Sequence, residues 1–235
     1  MPEFRYRIWK PKGAEGRLPV LYLLHGSGAE DDESTWLREG RGNLPVTLER
    51  LVAGKTVPSI AVVTPFGRPA DVRIGQWGFP EIEGFHAYVL ALIRAVESDP
   101  ALSIRTDRAG RAIAGLSMGG WQAIAIFLRS PEMFSAVGNF SGTVQMGFNS
   151  SAQPQTFNRP LRPEQVLGLS VFYHTCGRQD QRFYDSNVAF VAELDAAGIS
   201  NTHDFPDGAH DWPFWQRSLE RFAKCLGASG WGTVR

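Results

Sequence analysis

The sequence predicts an α/β chain built on one doubly wound, mostly parallel sheet with helices on both faces. Three observations carry that expectation. Short apolar, β-branched runs alternate with segments of helical periodicity from one end to the other. A length of 235 residues suits one domain of this class, spanning 1–235. No internal repeat or break in composition marks a boundary, so the alternation reads as a single layered unit.

The elements follow in order. Strand candidates are FRYRIW, LPVLYLLH, VPSIAVVT, RAIAG, AVGNFSG, LSVFYHT and NTHDFP. Between them lie helix candidates LPVTLERLVA, EGFHAYVLALIRAVES, GGWQAIAIFLRS, SNVAFVAELDAAG and DWPFWQRSLERFAKCL. In the second of these, Phe85, Val89, Leu92, Ile93 and Val96 recur at helical spacing, a stripe that belongs to a core rather than to a cofactor site. The least regular stretch, 142–163, is polar and rich in Gly, Pro, Asn and Ser. A connection that long in a compact domain is functional or mobile, and its place suits a cap over an active site.

Composition narrows the function. Lys plus Arg number 24 and Asp plus Glu 24, with no basic block to track a phosphate backbone or an anionic bilayer. Nucleic acid and membrane are therefore not expected as partners. The two cysteines, Cys176 and Cys225, stand in no C-x-x-C or Cys/His spacing and read as buried thiols rather than a metal site. The stretch MPEFRYRIWKPKG has neither an apolar signal core nor a transit-peptide composition. The expected location is the cytoplasm, or outside the cell if an export signal has been removed.

The chemistry gathers at IAGLSMGGWQAIAI, where Gly115 and Gly119 flank Ser117 two residues away on either side. G-x-S-x-G between a strand and a helix is a nucleophile elbow, which holds a serine hydroxyl on a sharp turn at the carboxyl edge of a sheet. Glycines that only let a helix pack closely on a strand would give the same five letters. Here the strand-like RAIAG and the helix-like GGWQAIAIFL supply the context that the motif needs. Together they predict the α/β-hydrolase fold.

A serine hydroxyl is a weak nucleophile and needs a base within hydrogen-bond reach, oriented in turn by an acid. In this fold the order is nucleophile, acid, histidine. His25 and His86 precede Ser117, His174 and His203 lie in strand patterns, and His210 lies in DGAHDWPFW, a turn that opens the last helix. His210 is the expected base. Asp180, in the loop after the strand ending near Cys176, is the expected acid, with Asp185 the runner-up. Asp204, Asp207 and Asp211 read as turn and capping residues.

Oxyanion donors are expected from the Met118 N–H, at the head of the elbow helix, and from the glycine-rich loop in YLLHGSGAEDDESTW. Ser27 N–H is the first candidate in that loop and Gly28 the second. Trp36, Trp121, Trp212 and Trp215 lie in or beside these motifs, and the first three, with Gly28, are candidate substrate contacts. Packing of the elbow and the last helix accounts equally well for Trp121 and Trp215.

LPVLYLLHGSG, RAIAGLSMGGWQAIAI, CGRQD and DGAHDWPFW together resemble the esterase D-like family of α/β hydrolases, over about 4–226. That family includes feruloyl, acetylxylan and enterochelin esterases, S-formylglutathione hydrolases and mycolyltransferases. CGRQD looks most like the feruloyl-esterase pattern, in which the final Asp is the triad acid, and the histidine segment departs from the S-formylglutathione hydrolase pattern. The resemblance implies a serine carboxylic-ester hydrolase with no cofactor and no metal, acting on small acyl, aryl or carbohydrate esters. Acyl transfer to a sugar hydroxyl would use the same residues. An amidase and a non-catalytic binding module are the remaining readings, the last disfavoured by a complete Ser, His, Asp set.

Overall fold

The computed structural model describes residues 4–75, 79–142, 144 and 163–233. Five strands are buried at every position: β2 (Val20–Leu24), β3 (Ala61–Pro65), β4 (Arg111–Leu116), β5 (Ala136–Phe140) and β6 (Val171–Thr175). Strands covered on both faces have no solvent side to alternate with, which is why these segments read as continuous apolar runs. The outer strands β1 (Tyr6–Trp9) and β7 (Thr202–Asp204) are partly exposed.

The strand order is β1-β3-β2-β4-β5-β6-β7, with β1 antiparallel to β3 and every other pair parallel. From β2 the chain crosses outward to β3, then returns past β2 to β4 and works outward to β7. The carboxyl ends of β2 and β4 thus flank the point where the winding direction reverses, and in open α/β sheets such a point carries the ligand crevice.

Helices α2 (Ile82–Glu97), α3 (Met118–Arg129) and α5 (Tyr184–Ala196) place Val89, Ile124 and Phe190 in one core, while α1 (Leu44–Ala53) and α6 (Trp212–Ala228) place Leu48 and Phe222 in the other. All seven expected strands and five expected helices are present. The structure adds a one-turn helix, α4 (Pro163–Val166), and the proline-led turns Pro100–Leu102 and Pro131–Met133, whose few residues carry no readable period. Of the expected cap 142–163, only Gly142, Val144 and Pro163 lie within the described residues. Cys176 is buried and Cys225 half-buried, both unpaired. Among the described residues no helix is long and apolar enough to cross a membrane.

At the amino edge of the sheet Arg111, the first residue of β4, is 4% exposed and forks onto Glu97 through two bonds of 2.6 Å. The same guanidinium donates to the carbonyls of Met133 and Thr106 at 2.7 and 2.5 Å. Tyr22 adds its hydroxyl to Glu97 at 3.3 Å. A charge buried this deeply persists because its donors are shared between a carboxylate and carbonyl oxygens.

Candidate active site

The elbow's two glycines answer to close approach. A Cβ on Gly115 would lie 2.4 Å from the Gly119 backbone, and one on Gly119 would lie 2.6 Å from the carbonyl oxygens of Leu24 and His25. With both side chains absent, α3 starts against the ends of β4 and β2. The chain turns between them at Ser117, with φ 50° and ψ −119°, a positive-φ conformation that a non-glycine residue seldom adopts. The Ser117 N–H remains on the ladder, bonded to Phe140 O at 2.9 Å. Strand register thus holds the backbone of this strained turn in place.

The acid and base loops are joined backbone to backbone. Arg178 N–H donates to Pro206 O at 2.9 Å, and Gln179 N–H donates to Gly208 O at 3.0 Å. A Cβ on Gly177 would lie 2.1 Å from Gly208 O, so only glycine permits this approach. The result is a continuous line: Asp180 Oδ2 lies 2.6 Å from His210 Nδ1, and His210 Nε2 lies 3.0 Å from Ser117 Oγ. Asp180 is 2% exposed, and its Oδ1 accepts the Phe183 N–H at 3.3 Å.

Burial by itself would raise the Asp180 pKa, but the His210 hydrogen bond and charge, the Phe183 N–H and the Cys176 thiol outweigh it and hold the carboxyl below its ordinary range. Cys176 Sγ lies 3.7 Å from the oxygen that faces His210. Burial, with the Asp180 charge beside it, pushes that thiol up to about 12, so it stays protonated as a donor. The His210 ring packs between Phe183 at 4.9 Å and the edge-on Trp215 at 4.8 Å. Sequence reasoning missed Cys176 and Phe183 as neighbours of this line. Their positions four before and three after Asp180, on a turn, are the signal that was available.

The remaining candidates fall elsewhere. Asp185 is exposed on the first turn of α5. Asp204 accepts from Tyr173 and pairs with Arg221, Asp207 accepts from Gln179, and Asp211 caps α6 by accepting the Phe214 N–H. His86 bonds Ser130, His203 bonds Asn201, and His174 is buried with neither ring nitrogen bonded among the described residues.

Met118 opens α3, so its N–H has no intrahelical acceptor and stands at the positive end of the helix dipole. In the loop after β2, the Gly28 N–H is taken by Asp31 Oδ2 at 3.1 Å, whereas Ser27 N–H has no acceptor among the described residues. The loop runs beside the nucleophile: a Cβ on Gly26 would sit 3.7 Å from Ser117 Cβ.

Trp36, expected as a substrate contact, is a core residue. It is fully buried, donates its indole N–H to Leu24 O at 3.0 Å and meets Phe140 and Trp212 edge-on, so no ring face is open to a ligand. Its loop folds inward to fill the space under the carboxyl end of β2. Trp121 packs on Phe79 and Trp212 packs edge-on between Trp36 and Trp215, each less than a tenth exposed. Among the described residues no group of His, Cys, Asp or Glu gathers as a metal site.

Comparison with known proteins places the chain in a family. Residues 3–224 match the Esterase family, described as "Putative esterase". The chain belongs to that family. An endo-1,4-beta-xylanase/feruloyl esterase of Xylanibacter ruminicola is 31% identical over 217 residues, covering 92% of this chain and 27% of that protein. The chain therefore spans about a quarter of that relative's length. A solved ferulic acid esterase, 25% identical, superimposes with a TM-score of 0.73 over 95% of this chain and 92% of its own. A ferulic acid esterase of Anaeromyces mucronatus, solved with ferulic acid, is 19% identical with a TM-score of 0.71 over 95% of this chain and 85% of its own, a likeness of fold.

Proposed function

We propose that this chain hydrolyses carboxylic esters by two-step acyl transfer, with Ser117 as nucleophile, His210 as general base and acid, and Asp180 as the group that orients His210. The observation that carries this reading is the unbroken hydrogen-bond line from Asp180 through His210 to Ser117 Oγ at the head of α3. His210 takes the hydroxyl proton as Oγ attacks the carbonyl carbon, and Asp180 holds the ring with Nδ1 protonated. The oxyanion is received by the Met118 and Ser27 N–H groups, both without a competing acceptor among the described residues. His210 then returns the proton to the leaving alcohol, and a water activated by the same ring releases the acid.

The names of the relatives support aryl esters of the feruloyl type as the substrate class. The test is a panel of p-nitrophenyl esters, acetyl through long acyl, beside methyl ferulate, with Ser117→Ala as control. Ser117-dependent turnover with methyl ferulate preferred is expected. A folded protein that turns over no ester would overturn the reading, and preference for acetyl over feruloyl esters would remove its aryl part.

A further inference from the structure

The loop that carries the Ser27 N–H is held from beneath by a histidine with no part in the proton transfers. His25, at the end of β2, is 1% exposed. The Gly67 N–H lies 2.8 Å from its Nε2 and can only donate, so Nε2 is the acceptor and the proton of the neutral ring sits on Nδ1. Nδ1 lies 2.7 Å from Gly26 O and therefore donates to it. Burial favours the same neutral form, lowering the ring's pKa. Gln122, on the elbow helix, donates from Nε2 to Gly67 O at 2.9 Å and completes a chain from α3 through Gly67 and His25 to Gly26.

Gly26 O belongs to the same peptide unit as the Ser27 N–H. In a planar trans peptide the two point in opposite directions. A bond that fixes the carbonyl toward His25 therefore fixes the N–H away from it.

We infer that His25 is a positioning residue for ester hydrolysis, aiming the Ser27 N–H at the developing oxyanion through its bond to Gly26 O. The inference rests on the serine-esterase reading above. Arg68 holds the next two peptides by a separate route, donating to Ser27 O and Gly28 O at 3.3 and 3.1 Å, so the loop is tied on both sides of the donor. Preorganisation is what gives an oxyanion donor its value, because a dipole already aligned needs no reorganisation when charge develops.

The experiment compares His25→Leu, His25→Asn and His25→Gln on p-nitrophenyl acetate, with affinity for an aryl trifluoromethyl ketone, whose hydrated or serine-bound oxygen mimics the oxyanion. Asn carries an N–H near the position of Nδ1 and keeps the bond to Gly26. Gln reaches the position of Nε2 and keeps only the arm toward Gly67. His25→Leu is expected to lower kcat about ten- to hundredfold, below the full loss of an oxyanion donor, with KM within about threefold. Ketone affinity should fall in step with kcat/KM. His25→Asn should recover kcat to within about fivefold of wild type and His25→Gln should not.

Equal loss in the Asn and Gln variants, or a change confined to KM, overturns the inference. If His25→Leu fails to fold, as judged by near-UV circular dichroism, the Asn and Gln pair decides alone. Wild-type turnover that needs Ser117 but is indifferent to His25 overturns this inference and leaves the esterase reading intact. Loss of Ser117 dependence overturns both.

Discussion

The two ends of β4 are built on opposite terms. At the amino end Arg111 has its donors shared among Glu97, Met133 and Thr106, and the backbone is ordinary extended strand. At the carboxyl end Ser117 sits at φ 50°, and the adjacent Met118 and Ser27 N–H groups have no acceptor among the described residues. One six-residue strand begins in a hydrogen-bonded polar cluster and ends just before a strained turn with donors left open. The lesson is that one strand can serve two separable ends. The amino end contributes to the stability of the fold, while the carboxyl end holds its strained turn through its own bond to Phe140 O on β5.

The contrast breaks if a change at the open end destabilises the fold, or one at the closed end slows the chemistry. Ser117→Ala should have the largest effect, lowering kcat on p-nitrophenyl acetate by about 10⁴-fold or more. The thermal midpoint should stay within a few degrees, checked by calorimetry on the same sample. Asp180→Asn should follow, with a loss of about 10³- to 10⁴-fold in kcat, because an amide no longer enforces the Nδ1 proton on His210. Full activity in that variant would remove Asp180 from the line.

At the closed end Arg111→Leu strands the Glu97 carboxylate and should cost about 3–5 kcal/mol in urea unfolding. The kcat of the folded protein should be unchanged. A large fall in kcat there would show that the two ends are not separable.

Smaller effects sharpen the picture along β6. His174 is fully buried, and burial, with His203 adding to it, lowers its pKa to about 3. The unfolded chain takes up this proton as pH falls through about 6.5 and the folded chain does not until about 3, so His174 draws stability down across that window. His174→Phe should raise the thermal midpoint at pH 4.5 relative to wild type, with a smaller difference at pH 8. Parallel midpoint curves for the two proteins would refute this. Cys176→Ala, which removes a weak donor from Asp180, should change kcat only about two- to fivefold, and Cys176→Ser should restore it.

Much of this was legible in the sequence because it rests on local periodicity and short motifs. The buried strands appear as apolar runs, and the serine, aspartate and histidine fall on turns that glycine marks. What was not legible depends on partners far along the chain. Trp36 reads as a loop aromatic near a motif, and nothing local says that its loop folds under β2 to donate to Leu24 O. His25 precedes the nucleophile by 92 positions, and its role depends on Gly67, Gly26 and Gln122 arriving together. Gly28 could be told from Ser27 as a donor only once the Asp31 carboxylate was seen to take its N–H.

The separation of the three central side chains along the chain also governs when activity can first appear. Ser117 and His210 are 93 residues apart, whereas Asp180 and His210 are only 30 apart and joined by paired loops. Long-range closures come at greater entropic cost and form later than short ones. On that scaling the Asp180 and His210 loops are expected to join each other before they dock together on Ser117. Regain of ester turnover after dilution from denaturant becomes a clock for that last docking step, and a nascent chain remains chemically silent until it occurs.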